Sequence, residues 1–350
     1  MRIPGLIDPH VHMREPGATH KEDWASGTAA ALAGGFTQVL AMPNTAPPVV
    51  DGPSLAQAAG LAADKARCDY GLYLGAGADN LVFTANLADQ CAGLKLYLDQ
   101  TYGPLRLDEM SLWMEHFKAW PKTRPLVVHA EGRTLAAAIL MSALIDRPLH
   151  VAHVATHEEI TLVRAAKERG FKITCEVAPH HLFLTQDDLH GGWVEVRPRL
   201  GSRVDVNALW ANLAVIDCFA TDHAPHTAAE KVGEDPPPGF PGLETALPLL
   251  LNAVHAGRLT LDDVLLRMGE NVRRIFGIPD QPETWVEVDL EAKHTLSAQG
   301  MHSKAGWTPF EGWEVYGAVR KVVLRGQTVV EDGVVLAAPG SGHSIQPISG

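Results

Sequence analysis

Eight short runs of apolar or β-branched residues recur along this chain, with helix-length segments between most of them. The runs fall at 3–8, 36–42, 70–75, 93–98, 126–129, 150–154, 172–177 and 216–221. Helix-like stretches include 24–33, which ends at Gly34-Gly35, and 54–63, 107–120, 133–144 and 157–169. Strands that alternate with helical crossovers pair in parallel, because a crossover returns the chain to the same end of the sheet. Eight such units suit a closed (β/α)8 TIM barrel, which a 350-residue chain can fill as one unit. A hydrophobic fraction of 46% supplies the large core this needs. After about Asn271 the pattern changes. Runs at 285–290, 315–324 and 327–335 read as strands joined by turn residues, without helices. The expected organisation is a hydrolase-type barrel over 1–275, a small β-rich appendage over 276–338, and a Gly-, Ser- and Pro-containing tail or linker over 339–350.

The formal net charge is -12, and lysine and arginine are scattered rather than bunched. Nucleic-acid binding is a poor fit to that pattern. No apolar run reaches the roughly 18 residues of a membrane helix, and the start of the chain does not read as a signal peptide. Cys68, Cys91, Cys175 and Cys218 are far apart and form no CxxC pair, so buried free thiols and a cytoplasmic setting are expected. An acidic protein that handles an acidic substrate must concentrate positive charge at its site, which draws attention to individual Arg and His residues.

The strongest local signal is Asp8-Pro9-His10-Val11-His12 at the end of the first run. Side chains two apart on a strand share a face, so His10 and His12 can grip one metal ion. A pair of surface histidines is the plainer alternative. His129 ends the fifth run and His153 lies in the sixth. Either alone would more often be a structural histidine, but strand-end histidines of a barrel converge on one mouth, and imidazole is a common zinc ligand. Asp222, in Thr221-Asp222-His223-Ala224-Pro225-His226, closes the last run. Alone it reads equally well as a helix cap; beside four histidines it reads as a ligand able to take a proton from metal-bound water. Lys95 sits inside the run Gly93-Leu94-Lys95-Leu96-Tyr97. An ammonium there is costly to bury unless it snorkels to solvent, whereas a neutral amine that captures carbon dioxide becomes a carbamate able to bridge two metals.

Together these motifs resemble the binuclear amidohydrolase superfamily, and most of the chain is similar to the dihydroorotase domain of the animal multifunctional pyrimidine-synthesis protein. Similar stretches include 4–21, 41–48, 93–98, 174–184, 216–226, 236–251 and Trp307-Thr308-Pro309-Phe310-Glu311-Gly312. The resemblance implies His10, His12 and Asp222 on one zinc, His129 and His153 on a second, and carboxylated Lys95 and hydroxide between them. It implies that Arg14, Asn44, Arg197 and His226, with backbone near Pro238, hold the substrate's α-carboxylate, and that Thr101 and Tyr102 lie on a loop that closes over it. In the animal domain a cysteine and a glutamate hold a further zinc. Here the cysteine position is Ala152, which makes a third metal doubtful, while Glu176 remains as its ligand or as a partner of a ligand histidine. The loop around His190-Gly191-Gly192-Trp193 is shorter than expected, and only nine residues precede His10. An excised or redesigned domain is the expectation.

The implied reaction is reversible closure of N-carbamoyl-L-aspartate to dihydroorotate, in a homodimer that could associate with other enzymes of pyrimidine synthesis. Rival expectations are a hydantoinase or dihydropyrimidinase, whose substrates lack the ring carboxylate, and an inactive structural relative. Arg14 beside the HxH pair argues against the first, and the filled ligand positions argue against the second.

Overall fold

The structure is a computed structural model and describes residues 1–345. Eight parallel strands form the barrel: β2 (Leu6–Val11), β3 (Phe36–Ala41), β4 (Asp69–Gly75), β5 (Gly93–Tyr97), β6 (Leu126–His129), β7 (Leu149–Val151), β8 (Ile173–Val177) and β9 (Cys218–Phe219). They lie side by side in chain order. Every residue of β2 to β7 is buried, as expected where helices cover the outside and side chains fill the inside. The ring closes where Val11 bridges His223 and His12 N donates to His223 O at 2.7 Å.

The helices at Trp24–Ala33, Gly52–Lys65, Met110–Ala119, Gly132–Leu144 and His157–Glu168 match the expected segments within a few residues. Several strand readings change: the run at 150–154 shortens to β7, leaving His153 beyond its end, and the run at 285–290 extends to Thr295. The first run divides at Pro4-Gly5: β1 (Arg2–Pro4) leaves the barrel and pairs antiparallel with β10 (Trp285–Thr295). The last run shrinks to β9, and three residues beyond it Asp222 adopts φ +46°. The run at 327–335 becomes β12 (Gln327–Glu331) and β13 (Val334–Val335), folded back at Asp332-Gly333, both with positive φ, as tight hairpins favour. With β11 (Glu314–Leu324) these strands form a second sheet in the order β1-β10-β11-β12-β13. The helical pattern persists to Phe276, beyond the expected change near Asn271.

One hydrophobic cluster runs from barrel residues such as Leu6 and Phe36 to Val286 and Val322 of the small sheet, so the two sheets share a core. Residues 339–345, read as tail or linker, run beside the start of β4: Tyr70 N donates to His343 O at 3.0 Å and Ile345 N to Tyr70 O at 2.7 Å. The rest of that expected tail, 346–350, lies outside the described residues. All four cysteines are buried and free. Among the described residues no helix is long and apolar enough to cross a membrane.

Gly317 on β11 is where the small sheet meets the helix Ala246–His255. Its φ is +99°, and an added Cβ would lie 2.4 Å from Leu251 Cβ. Gly317→Ala is expected to cost about 2 kcal/mol or more through overpacking and backbone strain. A fall in the denaturant midpoint at unchanged slope checks this, and an unchanged midpoint contradicts it.

Candidate active site

The C-terminal ends of the barrel strands carry the reactive groups. β2 presents Asp8 and His10, with His12 just past its end; β5 presents Lys95; His129 ends β6; His153 and Asp222 follow β7 and β9. His10 and His12 place Nε2 at 3.2 and 3.1 Å from Asp222 Oδ1, and one ligand atom from each of the three falls within 4.8 Å of the others. His129 Nδ1 and His153 Nε2 face each other at 2.9 Å, and the His10 and His153 ring centroids lie 5.2 Å apart, which joins the two groups. The amine of fully buried Lys95 has no hydrogen-bond partner in the structure.

Electrostatics leave His12, His153 and Asp222 in a form that can bind a metal ion. Burial lowers His12 to about 4, and burial with the neighbouring His129 lowers His153 well below its ordinary value, so both rings stay neutral. Burial pushes Asp222 upward, but His10, His12 and His153 prevail and hold it ionised. Burial brings the Lys95 amine down to about 8, against the pull of Glu176 and Asp222. Three non-glycine residues here, Arg14, His153 and Asp222, have φ of +57°, +33° and +46°. Left-handed backbone at such residues costs energy and clusters where function requires it.

The next layer fixes which nitrogen each ring offers. His10 Nδ1 donates to Glu176 Oε1, and His12 Nδ1 donates to Asn44 Oδ1 at 2.7 Å, so both Nε2 atoms keep their lone pairs for the site. Glu176 also receives His153 N at 3.3 Å and His150 Nε2 at 3.1 Å. Burial would raise Glu176, but His10 and His150 hold it well below the carboxylate range. Both of its oxygens are thus engaged by histidines, and Ala152 supplies only a methyl group beside them. Asp8 joins first strand to last: its carboxylate accepts from His10 N at 3.1 Å, from Thr221 N at 3.2 Å and from the Thr221 hydroxyl. Burial raises Asp8 to about 7 despite these bonds.

Positive charge gathers on one side. Arg14 Nε donates to Pro225 O at 3.1 Å, and its Nη2 lies 3.0 Å from His226 Nε2. Lys21 Nζ lies 3.0 Å from His226 Nδ1, and His226 Nε2 also lies 3.0 Å from Pro238 O. Burial, Arg14 and Lys21 all push His226 toward its neutral form. Asn44 Nδ2 donates to Tyr102 O at 2.9 Å, so its whole amide is engaged. The Tyr102 ring lies under the Arg14 guanidinium at 5.0 Å and edge-on to His226 at 5.1 Å, which folds the 101–102 loop onto the site. Arg197 Nη1 donates to Glu195 Oε2 at 3.0 Å and to Val196 O at 2.9 Å.

Of the residues singled out from the sequence, all but Lys95, Glu176 and His226 line one cleft, together with Tyr97, Ala224 and Gly239. Gly239 lets two segments touch, since a Cβ there would lie 2.3 Å from Ala224 O. A roomier hollow of about 400 Å³ opens at the opposite end of β6 to β8, beside Pro125, Leu149 and Ile173, away from the convergent groups. Sequence reasoning missed Tyr97, Lys21 and His150. Tyr97 follows Lys95 by two and shares its face, and His150 points inward between Leu149 and Val151, so alternation could have found both. Lys21 sits in a loop with no periodic signal.

An eight-stranded parallel barrel with an antiparallel sheet beside it and histidines at the strand ends defines an amidohydrolase-type enzyme. The solved L-hydantoinase of Arthrobacter aurescens superposes with a TM-score of 0.92 at 25% identity, covering 99% of this chain and 89% of that one. The inactive dihydroorotase-like domain of the Chaetomium thermophilum CAD-like multifunctional protein gives 0.86 at 30%, covering 98% of each. Residues 1–63 match the family described as Dihydro-orotase-like. Multifunctional protein CAD of Squalus acanthias is 56% identical over 99% of this chain, which spans 16% of that protein. Dihydroorotase of Pyrococcus furiosus is 34% identical, covering 96% of this chain and 83% of the archaeal one. The chain belongs to the dihydroorotase family of cyclic amidohydrolases.

Glu176→Gln leaves one oxygen where His10 and His150 need two. It is expected to weaken divalent-metal binding by about 10- to 100-fold, the usual cost of losing a ligand's partner. Chelator competition measures this; unchanged affinity would mean that His10 is oriented by something else.

Proposed function

We propose that the site is a binuclear zinc centre that closes N-carbamoyl-L-aspartate to dihydroorotate and reopens it. The observation that carries this is the convergence of His10, His12 and Asp222 with the His129–His153 pair, together with a buried Lys95 amine that has no hydrogen-bond partner among the described residues. The donors suit the group: neutral imidazoles and an ionised carboxylate are zinc ligands, and a desolvated amine is poised to become a carbamate. His10, His12 and Asp222 would hold one ion, His129 and His153 the other, with carboxylated Lys95 shared. When bound, the two ions would supply an activated water and polarise the amide carbonyl.

The chain's own residues do the rest. Asp222 accepts the proton of the attacking water and returns it to the departing ring nitrogen; in the closing direction these roles reverse. Arg14 and Arg197, with His226 and the backbone at Pro238, take the α-carboxylate and set the ring's orientation, and the planar arginine fork suits a carboxylate. Asn44 acts through its bridge between His12 and the Tyr102 backbone, and the Thr101–Tyr102 loop covers the bound substrate. Arg14 at the heart of the site favours a ring that bears a carboxylate over a hydantoin. The filled ligand set favours an active enzyme over a structural domain. A homodimer within a larger pyrimidine-synthesis assembly is the proposed setting.

The test is zinc per chain measured with dihydroorotate hydrolysis on the same preparation. Two ions with turnover support the reading, and folded protein with neither removes it. Asp222→Asn is expected to abolish turnover with metal content nearly intact; loss of zinc would make Asp222 mainly a structural ligand. Arg14→Ala should chiefly raise KM for carbamoyl-aspartate, and an unchanged KM would take Arg14 out of the clamp.

A further inference from the structure

Lys231 ends the short helix Ala228–Lys231 and is fully buried. Its ammonium donates to three backbone carbonyls: Glu195 O at 2.7 Å, Pro237 O at 3.0 Å and Gly239 O at 3.3 Å. No salt bridge to it forms among the described residues, because the Glu195 carboxylate is turned to Arg197 and Arg199. Burying an ammonium without an acid partner is costly, and three well-placed carbonyls are what make it tolerable.

The carbonyls belong to the two segments that carry Arg197 and Pro238. A direct bond from Gly239 N to Glu195 O at 3.0 Å runs beside the ammonium. Lys231 also lies over the faces of Phe240 and Trp307, each at 5.4 Å, and Trp307 Nε1 donates to His226 O at 2.8 Å. One buried charge therefore reaches the supports of Arg197, Pro238 and His226 without lining the cleft itself.

We propose that Lys231 is the positioning residue of the carboxylate clamp, fixing the 195–197 and 237–239 segments at the spacing that a carboxylate-bearing cyclic amide requires. This rests on the clamp reading given above. The geometry suits lysine: three N–H groups on one small head meet three converging oxygens, whereas arginine presents a flat fork.

Lys231→Met keeps the length of the side chain and removes the donors. Expected are a KM for carbamoyl-aspartate raised about tenfold or more, kcat changed far less, and unchanged zinc per chain, since misplaced binding groups degrade substrate orientation rather than the metal centre. Lys231→Arg should not restore KM. If Lys231→Met proves insoluble, Lys231→Gln, which keeps two donors, should fold and show an intermediate KM. A folded variant with normal KM, a loss confined to kcat, or a parallel loss of zinc would each overturn the proposal. Arg14→Ala is the control. A raised KM there with a normal KM for Lys231→Met sinks this inference alone, whereas normal values in both sink the clamp reading itself.

Discussion

Everything at the site depends on the closure of the barrel between its first and last strands. Asp222 is 210 residues away from His12 in the chain, yet the two side chains touch because His12 N bonds to His223 O and Asp8 holds Thr221. Without that seam neither strand end has a reason to face the other. The closing interactions are themselves polar and buried, so each group must be satisfied, and this fixes the register of the seam more tightly than apolar packing could.

A second constraint follows from placing many histidines in a dry core. A neutral imidazole offers one donor and one acceptor, and the site works only if the correct nitrogen faces inward. Glu176 and Asn44 make that choice for His10 and His12 by taking their Nδ1 protons. Glu176 serves His150 at the same time, so one carboxylate on β8 orders two rings on two other strands, β2 and β7. On the other side of the cleft the ordering is done by cations. Lys21 contacts His226, and Lys231 binds the backbone carbonyls of Glu195 and Pro237. Arg14, Lys21 and Lys231 thus place positive charge on one side of the cleft.

The likeness to hydantoinases and to dihydroorotases reflects a division of labour within the fold. The strand ends supply the histidines and the aspartate, and the loops beyond them supply Arg14, Tyr102, Arg197 and His226. A shared barrel therefore says little about which ring is opened.

Alternation of strand and helix was legible in the sequence because it comes from local periodicity, and so was the placement of His10, His12, His129, His153 and Asp222 at strand ends and of Lys95 within a strand. Local pattern also marked the β-rich C-terminal part. It could not show that Arg2–Pro4 leaves the barrel for that sheet, that residues 339–345 lie along β4, or that Asp332-Gly333 folds one run into two strands. Those outcomes depend on partners far away in the chain. Glu176 shows the limit most clearly: its sequence neighbourhood allows a metal ligand or a histidine partner, and only the positions of His10 and His150 around it decide. The sequence by itself determined the kinds of groups and the strands that bear them, because both are local properties. The tertiary structure decided which nitrogen faces inward, which carboxylate is shared and which lysine is left without a partner, because hydrogen-bond satisfaction in a closed barrel is a property of the whole fold.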